Sequence, residues 1–147
     1  MAPRAGQITD MANHPATRHQ VRVYYEDTDF TGMVYHGNIV NFFERGRTEY
    51  IRAVNVHHAT LSDQGFQFVV RRLEVDYLMG ARIDDLLEVR SEILEIKGAR
   101  IEFIQQIWRE SDCLARAKVT VGFVDAAGKP RRVPADWQQI LIEPDGK

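Results

Sequence analysis

Asp27, Asp29 and His36 are the residues of this sequence whose types and spacing could do chemistry. They lie in the stretch YYEDTDFTGMVYHGN, Tyr24 to Asn38. It leaves a strand pattern, passes through an acidic loop with a glycine, and enters an apolar helical pattern. At a helix N-terminus the first four backbone N–H groups lack partners within the helix, and the dipole favours negative charge. A carboxylate beside such donors is the equipment for acyl transfer. One group attacks a carbonyl or activates water, and the amides receive the oxyanion. The competing reading of either acid is structural, because aspartate favours turns and helix starts. Asp29 is the chemical candidate. Asp27, nearer the strand, fits a residue that holds the loop through backbone hydrogen bonds. His36 offers a backbone N–H at the helix start, and a side chain that can orient water or pass a proton to a leaving group.

The flanking elements must position these groups. Val21 to Glu26 alternates as a strand, with Val21, Val23 and Tyr25 on the buried face. Ile39, Phe43, Gly46 and Tyr50 then recur at helical spacing, widened by Val40, Phe42 and Ile51. Asn38 is a candidate cap for that helix and Asn55 a candidate end, a span of roughly 27 Å at about 1.5 Å per residue. A helix so broadly apolar needs cover on several sides. Val56 to Gly65 reads as a short connecting helix or turn. Four strand patterns follow, at Phe66 to Leu78, Leu86 to Ile96, Arg100 to Trp108 and Leu114 to Val124. The phase breaks around Val69 to Arg72, which suggests a bulge. In the first of these strands Leu73, Val75 and Tyr77 share one face. The last three read as an antiparallel meander, and Trp137 to Ile142 as a short terminal element. The sum is an α+β domain, a sheet packed on one long helix.

With 147 residues the chain suits one domain with a sufficient core. Residues 1–19 read as a flexible extension and 20–147 as the domain. A net charge of −2 gives no global electrostatic case for nucleic acid. No run of 18 apolar residues exists to span a membrane, and no secretory apolar core opens the sequence. The single cysteine, Cys113, cannot form an intrachain disulfide, which fits a reducing compartment. It has no CxxC partner. His57 and His58 are adjacent and project apart, so no metal site is expected. Ser62 and Ser91 lack a nucleophile-elbow pattern.

YYEDTDFTGMVYHGN, followed by FFERGRTEYIR and VVRRLEVDYLMGARIDDLLEV, resembles the hotdog-fold acyl-CoA thioesterases. It is most similar to the branch associated with the Tol–Pal envelope system, and more distantly to 4-hydroxybenzoyl-CoA thioesterases. The resemblance runs from about Val21 to Pro134. It implies a curled antiparallel sheet wrapped around the long helix, and homo-oligomers, dimers of dimers, with sites at the dimer interface. It also implies hydrolysis of acyl-CoA to free acid and CoA, with Asp29 as catalytic carboxylate and the backbone near His36 as oxyanion donor. No cofactor is implied, since CoA is part of the substrate. Two departures stand out: Phe30-Thr31-Gly32-Met33 replaces smaller residues, and Met79-Gly80 replaces an apolar-Pro pair.

Tyr35 and Asn38 flank His36 and are substrate-contact candidates, with packing and capping as the alternative. Lys97 and Arg100 at the meander turn, and Arg71 and Arg72 on the irregular strand, are candidates for the CoA phosphates. Glu44 is the alternative catalytic acid, because another hotdog branch uses a helix glutamate. With Arg45, Arg47 and Glu49 it could instead form surface or interface ion pairs. Two other functions stay open on sequence: a hotdog dehydratase or hydratase, and a non-catalytic module binding acyl-CoA or acyl carrier protein. The expectation is a cytoplasmic enzyme.

Overall fold

The computed structural model describes residues 17–54 and 65–142. Its elements in chain order are β1 (Thr17–Arg22), α1 (His36–Ala53), β2 (Gln67–Tyr77), β3 (Leu86–Lys97), β4 (Arg100–Arg109), β5 (Asp112–Val124) and α2 (Ala135–Ile142). The five strands form one antiparallel sheet in the order β1-β3-β4-β5-β2. The expected meander is its centre, and β1 and β2 are its edges. The sheet curls around α1, the hotdog arrangement.

Alternation set by the pleat sends one face of the sheet to the helix. Leu87, Val89 and Ile93 of β3, Ile101, Phe103 and Ile107 of β4, and Val119, Val121 and Phe123 of β5 are buried there. From α1 come Ile39, Phe42, Phe43, Tyr50 and Ile51. Phe42 and Phe43 are wholly buried, and each contributes about 1.5–3 kcal/mol by leaving water. Gly46 lets the helix approach closely. A Cβ there would stand 2.6 Å from Val89 Cγ1, 2.8 Å from Ser91 Oγ and 3.0 Å from Gln105 Nε2. The two polar groups belong to a buried network. Gln105 Nε2 donates to Phe43 O and to Ser91 Oγ, both at 2.8 Å, and Arg47 donates to Gln105 Oε1 at 3.0 Å. At the far end of α1 the Tyr50 hydroxyl donates to Leu141 O at 2.6 Å, docking α2. Burial pushes the Tyr50 phenol's pKa up.

Several boundaries differ from the sequence reading. Strand β1 begins at Thr17, so residues 17–19 belong to the sheet, and it ends at Arg22. Val23 is buried as expected, but Tyr25 is exposed, because the chain turns at Tyr25–Asp27 into one 3₁₀ turn. The helix starts two residues before Asn38 and its N-cap is Tyr35, whose side chain caps nothing. Asn55 and 56–64 lie outside the described residues, as do 1–16 and 143–147. The expected bulge is real: the β2–β5 register breaks between Val70 and Arg72. The terminal element is α2.

The inner face of β2 departs most from expectation. Leu73 and Tyr77 stand opposite Val119 and Ala115, on the helix side of the sheet, yet both are exposed. The helix packs on β1, β3 and β4 and leaves β2 largely uncovered.

Gly46→Ala should cost about 1–3 kcal/mol of stability through overpacking, read as a lower urea midpoint at unchanged slope.

Candidate active site

The loop between β1 and α1 folds on its own hydrogen bonds. Asp27 is buried. Its carboxylate accepts Tyr24 N–H at 2.8 Å, and its carbonyl accepts Tyr35 N–H at 2.9 Å and Asn38 Nδ2 at 3.1 Å. This is the loop-holding role expected of Asp27. Residues Thr28 and Val34 then pair across a tight hairpin, with Asp29 N–H donating to Met33 O at 2.8 Å. Gly32, at φ +85°, closes the turn by donating to Asp29 O at 3.0 Å, a conformation that suits glycine. Asp29 and Phe30 stand exposed at the tip.

Hydrogen bonds hold the Asp29 carboxyl below its usual pKa. The Thr31 hydroxyl is the largest cause and the Thr31 amide the next; desolvation opposes them, and the charge of His36 adds to the lowering. Asp29 is therefore an anion at neutral pH. Beside it, α1 begins at His36. Tyr35 N–H is taken by Asp27 O, and Asn38 N–H by Tyr35 O. The amides of His36 and Gly37 are thus unclaimed by any described residue, as the first turn of a helix dictates. An anionic carboxylate next to free amides at the positive end of a helix can attack a carbonyl, or deprotonate water, while the amides receive the developing oxyanion.

His36 is exposed between two rings. Tyr35 lies 4.5 Å away, centroid to centroid, and Tyr77 lies edge-on at 6.1 Å. The Tyr77 hydroxyl also donates to His36 O at 3.3 Å. Tyr77 sits 41 residues along the chain, at the end of β2, and sequence reasoning missed it as a site residue. Its only signal was the inward phase of that strand. Thr31 was missed too, although it stands two residues from the carboxylate it holds.

The segment between β2 and β3 braces the loop. Val34 N–H donates to Ala81 O at 2.8 Å, and Met33 bridges Arg82. Asp85 fixes this segment by accepting Arg82 N–H and Arg109 Nη1, both at 2.9 Å. Desolvation would raise the pKa of Asp85, but those two donors outweigh it and the net shift is downward. The two stretches that the resemblance singled out, at Met33 and Gly80, meet here. A Cβ on Gly80 would collide with the Met33 sulfur, so the missing side chain at Gly80 makes room for the longer one at Met33.

Other candidates lie elsewhere. Asn38 is half-buried and bound to Asp27 O, so it supports the loop. Glu44 is about 12 Å along α1 from His36 at about 1.5 Å per residue. It lines a groove of about 90 Å³ with Arg47, Thr48, Phe68 and Val70. Within the protomer Arg47 hydrogen-bonds Gln105 while the charge of Glu44 acts on it, Arg45 lies over the Phe42 ring, and Glu49 pairs with Arg52. Lys97 and Arg100 flank the β3–β4 turn, about 30 Å from the site end of β4 at about 3.3 Å per residue, so one protomer does not bring them to Asp29. Arg72 is paired with Glu74. The Cys113 thiol is half-buried, and burial pushes its pKa up. Among the described residues no three His, Cys, Asp or Glu side chains are grouped to hold a metal ion, and no helix is long and apolar enough to cross a membrane.

Residues 31–115 match the model of the thioesterase superfamily. The chain belongs to that superfamily. A relative from Haemophilus influenzae, named acyl-CoA thioesterase YbgC, is 50% identical over 106 residues, which is 71% of this chain and 78% of that protein. One from Escherichia coli O6:H1, named acyl-CoA thioester hydrolase YbgC, is 44% identical over 80% of this chain and 89% of its own length. The crystal structure of a probable thioesterase from Bartonella henselae superposes with a TM-score of 0.77 at 39% identity. It covers 81% of this chain and 99% of that one.

The Met33–Gly80 contact is testable by a double-mutant cycle. Gly80→Ala should cost about 1 kcal/mol in the native chain and much less in the Met33→Ala background, read as the non-additivity of urea midpoints.

Proposed function

We infer that the chain hydrolyses acyl-CoA thioesters to a free acid and CoA. Superfamily membership and the acyl-CoA activities named for the Haemophilus and Escherichia relatives support this. The observation that carries the mechanism is an anionic Asp29 beside the unclaimed amides of His36 and Gly37. Two routes start from the same oxygen. In one, an Asp29 oxygen bonds to the thioester carbon, the C–S bond breaks, and CoA departs. Water then cleaves the aspartyl anhydride to return the carboxylate. In the other, Asp29 takes a proton from the water whose oxygen attacks that carbon, and the tetrahedral intermediate collapses by breaking the C–S bond, releasing acid and CoA. The amides hold the oxyanion in both, and His36 supplies a proton to the departing sulfur. Protein groups do the chemistry, and CoA belongs to the substrate.

The finer reading places the site in a homo-oligomer, a dimer of dimers. The open edge and uncovered inner face of β2, with Val70, Leu73 and Tyr77 exposed and Leu78 and Met79 exposed just beyond its end, support a partner there. Acyl carrier protein as an alternative carrier, a cytoplasmic location and a setting beside the Tol–Pal system rest on the resemblance.

Asp29→Asn should lower kcat by about 10²–10⁴ with melting temperature nearly unchanged. Thiol release from a panel of acyl-CoAs measures it, with Glu44→Gln as the control. If Glu44→Gln is the dead enzyme and Asp29→Asn turns over normally, the helix glutamate is the catalytic acid. Light scattering should show a dimer or larger species at micromolar concentration. A fully active monomer would rule out a site shared across the interface.

A further inference from the structure

Asp29 is exposed, yet its carboxylate is not free to turn. The Thr31 hydroxyl donates to Asp29 Oδ1 at 2.5 Å, and the Thr31 backbone N–H donates to the same oxygen at 2.8 Å. Met33 N–H donates into Thr31 Oγ1 at 3.3 Å. That bond occupies a lone pair of the hydroxyl and leaves its proton aimed at Asp29. Both Thr31 donors act on Oδ1, and no hydrogen bond from another described residue ends on Oδ2. The carboxylate is therefore asymmetric, with one oxygen held and one presented.

We propose that Thr31 is a positioning residue for the hydrolysis: it grips Oδ1 of Asp29 and presents Oδ2 as the reacting atom. This rests on the reading of Asp29 as the reacting carboxylate. The terminal torsion of an aspartate is broad and roughly two-fold, so an unheld carboxylate in water interchanges its oxygens freely. Two donors on one oxygen remove that freedom before the substrate arrives, which lowers the orientational cost of reaching the transition state. The amide alone would hold Oδ1 more loosely. The hydroxyl completes the grip, and Gly32 lets the turn close tightly enough for it to reach.

The same grip favours the anion. The titratable side chain whose field acts on Asp29 is His36, from α1. Asp27 is turned away onto Tyr24 N–H, and Asp85 and Arg109 engage each other in the bracing segment. Removing the hydroxyl deletes the largest influence lowering the Asp29 pKa. The carboxyl then titrates at higher pH, and activity that needs the carboxylate is lost at higher pH on the acid side.

Thr31→Val removes the hydroxyl and keeps shape and backbone N–H; Thr31→Ser keeps the hydroxyl. In Thr31→Val, kcat should fall about ten- to hundredfold with KM little changed. The acid limb of kcat/KM and the ¹³C titration of the Asp29 carboxyl should both move to higher pH. Thr31→Ser should restore all three. A Thr31→Val enzyme with wild-type kcat overturns the proposal, whether or not the Asp29 titration has moved. So does a loss of kcat that Thr31→Ser fails to restore. Asp29→Asn in the same assay locates the failure. A dead Asp29→Asn beside an unimpaired Thr31→Val sinks the grip alone, whereas an active Asp29→Asn sinks the catalytic assignment of Asp29 and the role of Thr31 with it.

Discussion

The Asp27 carbonyl accepts two hydrogen bonds, one from the Tyr35 amide and one from the Asn38 side chain, and the placement of α1 depends on them. A helix begins with amides that nothing inside the helix can satisfy. Here the loop takes one of the neighbouring donors and leaves the next two open. The Asp27 carboxylate meanwhile closes the 3₁₀ turn on Tyr24 N–H. One buried residue therefore ends the first strand, seats the helix and sets the distance between the helix start and the Asp29 hairpin. Two aspartates two positions apart have opposite duties because one is turned into backbone donors and the other stands at a turn tip.

The core holds the helix against the sheet most visibly at Gly46. Gly46 brings the α1 backbone onto Val89, Ser91 and Gln105, and the polar groups that this approach buries are satisfied among themselves. That seat fixes where α1 can reach. It covers β1, β3 and β4, and β2 is left with exposed apolar side chains on its inner face and an unpaired edge. An edge of this kind is a template for another strand. Tyr77, which touches His36, lies at the end of that same strand, so the open edge and the site are physically continuous.

Much of this was legible in the residue order. Alternation marked the strands of the meander because the pleat has a period of two, and the phase break before Arg72 marked the bulge. The 3.6-residue recurrence from Ile39 to Tyr50 marked α1. An acidic loop running into that helix marked the carboxylate and its amide neighbours. Local competition blurred the edges: Tyr25 fits the strand alternation, but Asp27 bonding back to Tyr24 turns the chain first. Asn38 looks like a cap, yet its side chain is drawn to Asp27 O.

The sequence by itself determined the elements and the chemical type of the site, because periodicity and helix-end electrostatics are local. Tertiary structure decided which groups share the site. Tyr77 reaches His36 only because β2 ends beside the helix start, and Lys97 and Arg100 stand remote because β3 begins at that end and carries its turn away. Met33 and Gly80, 47 positions apart, fit each other only once Val34 is bonded to Ala81. Such pairings depend on strand order and register, which many residues set together and no single stretch encodes.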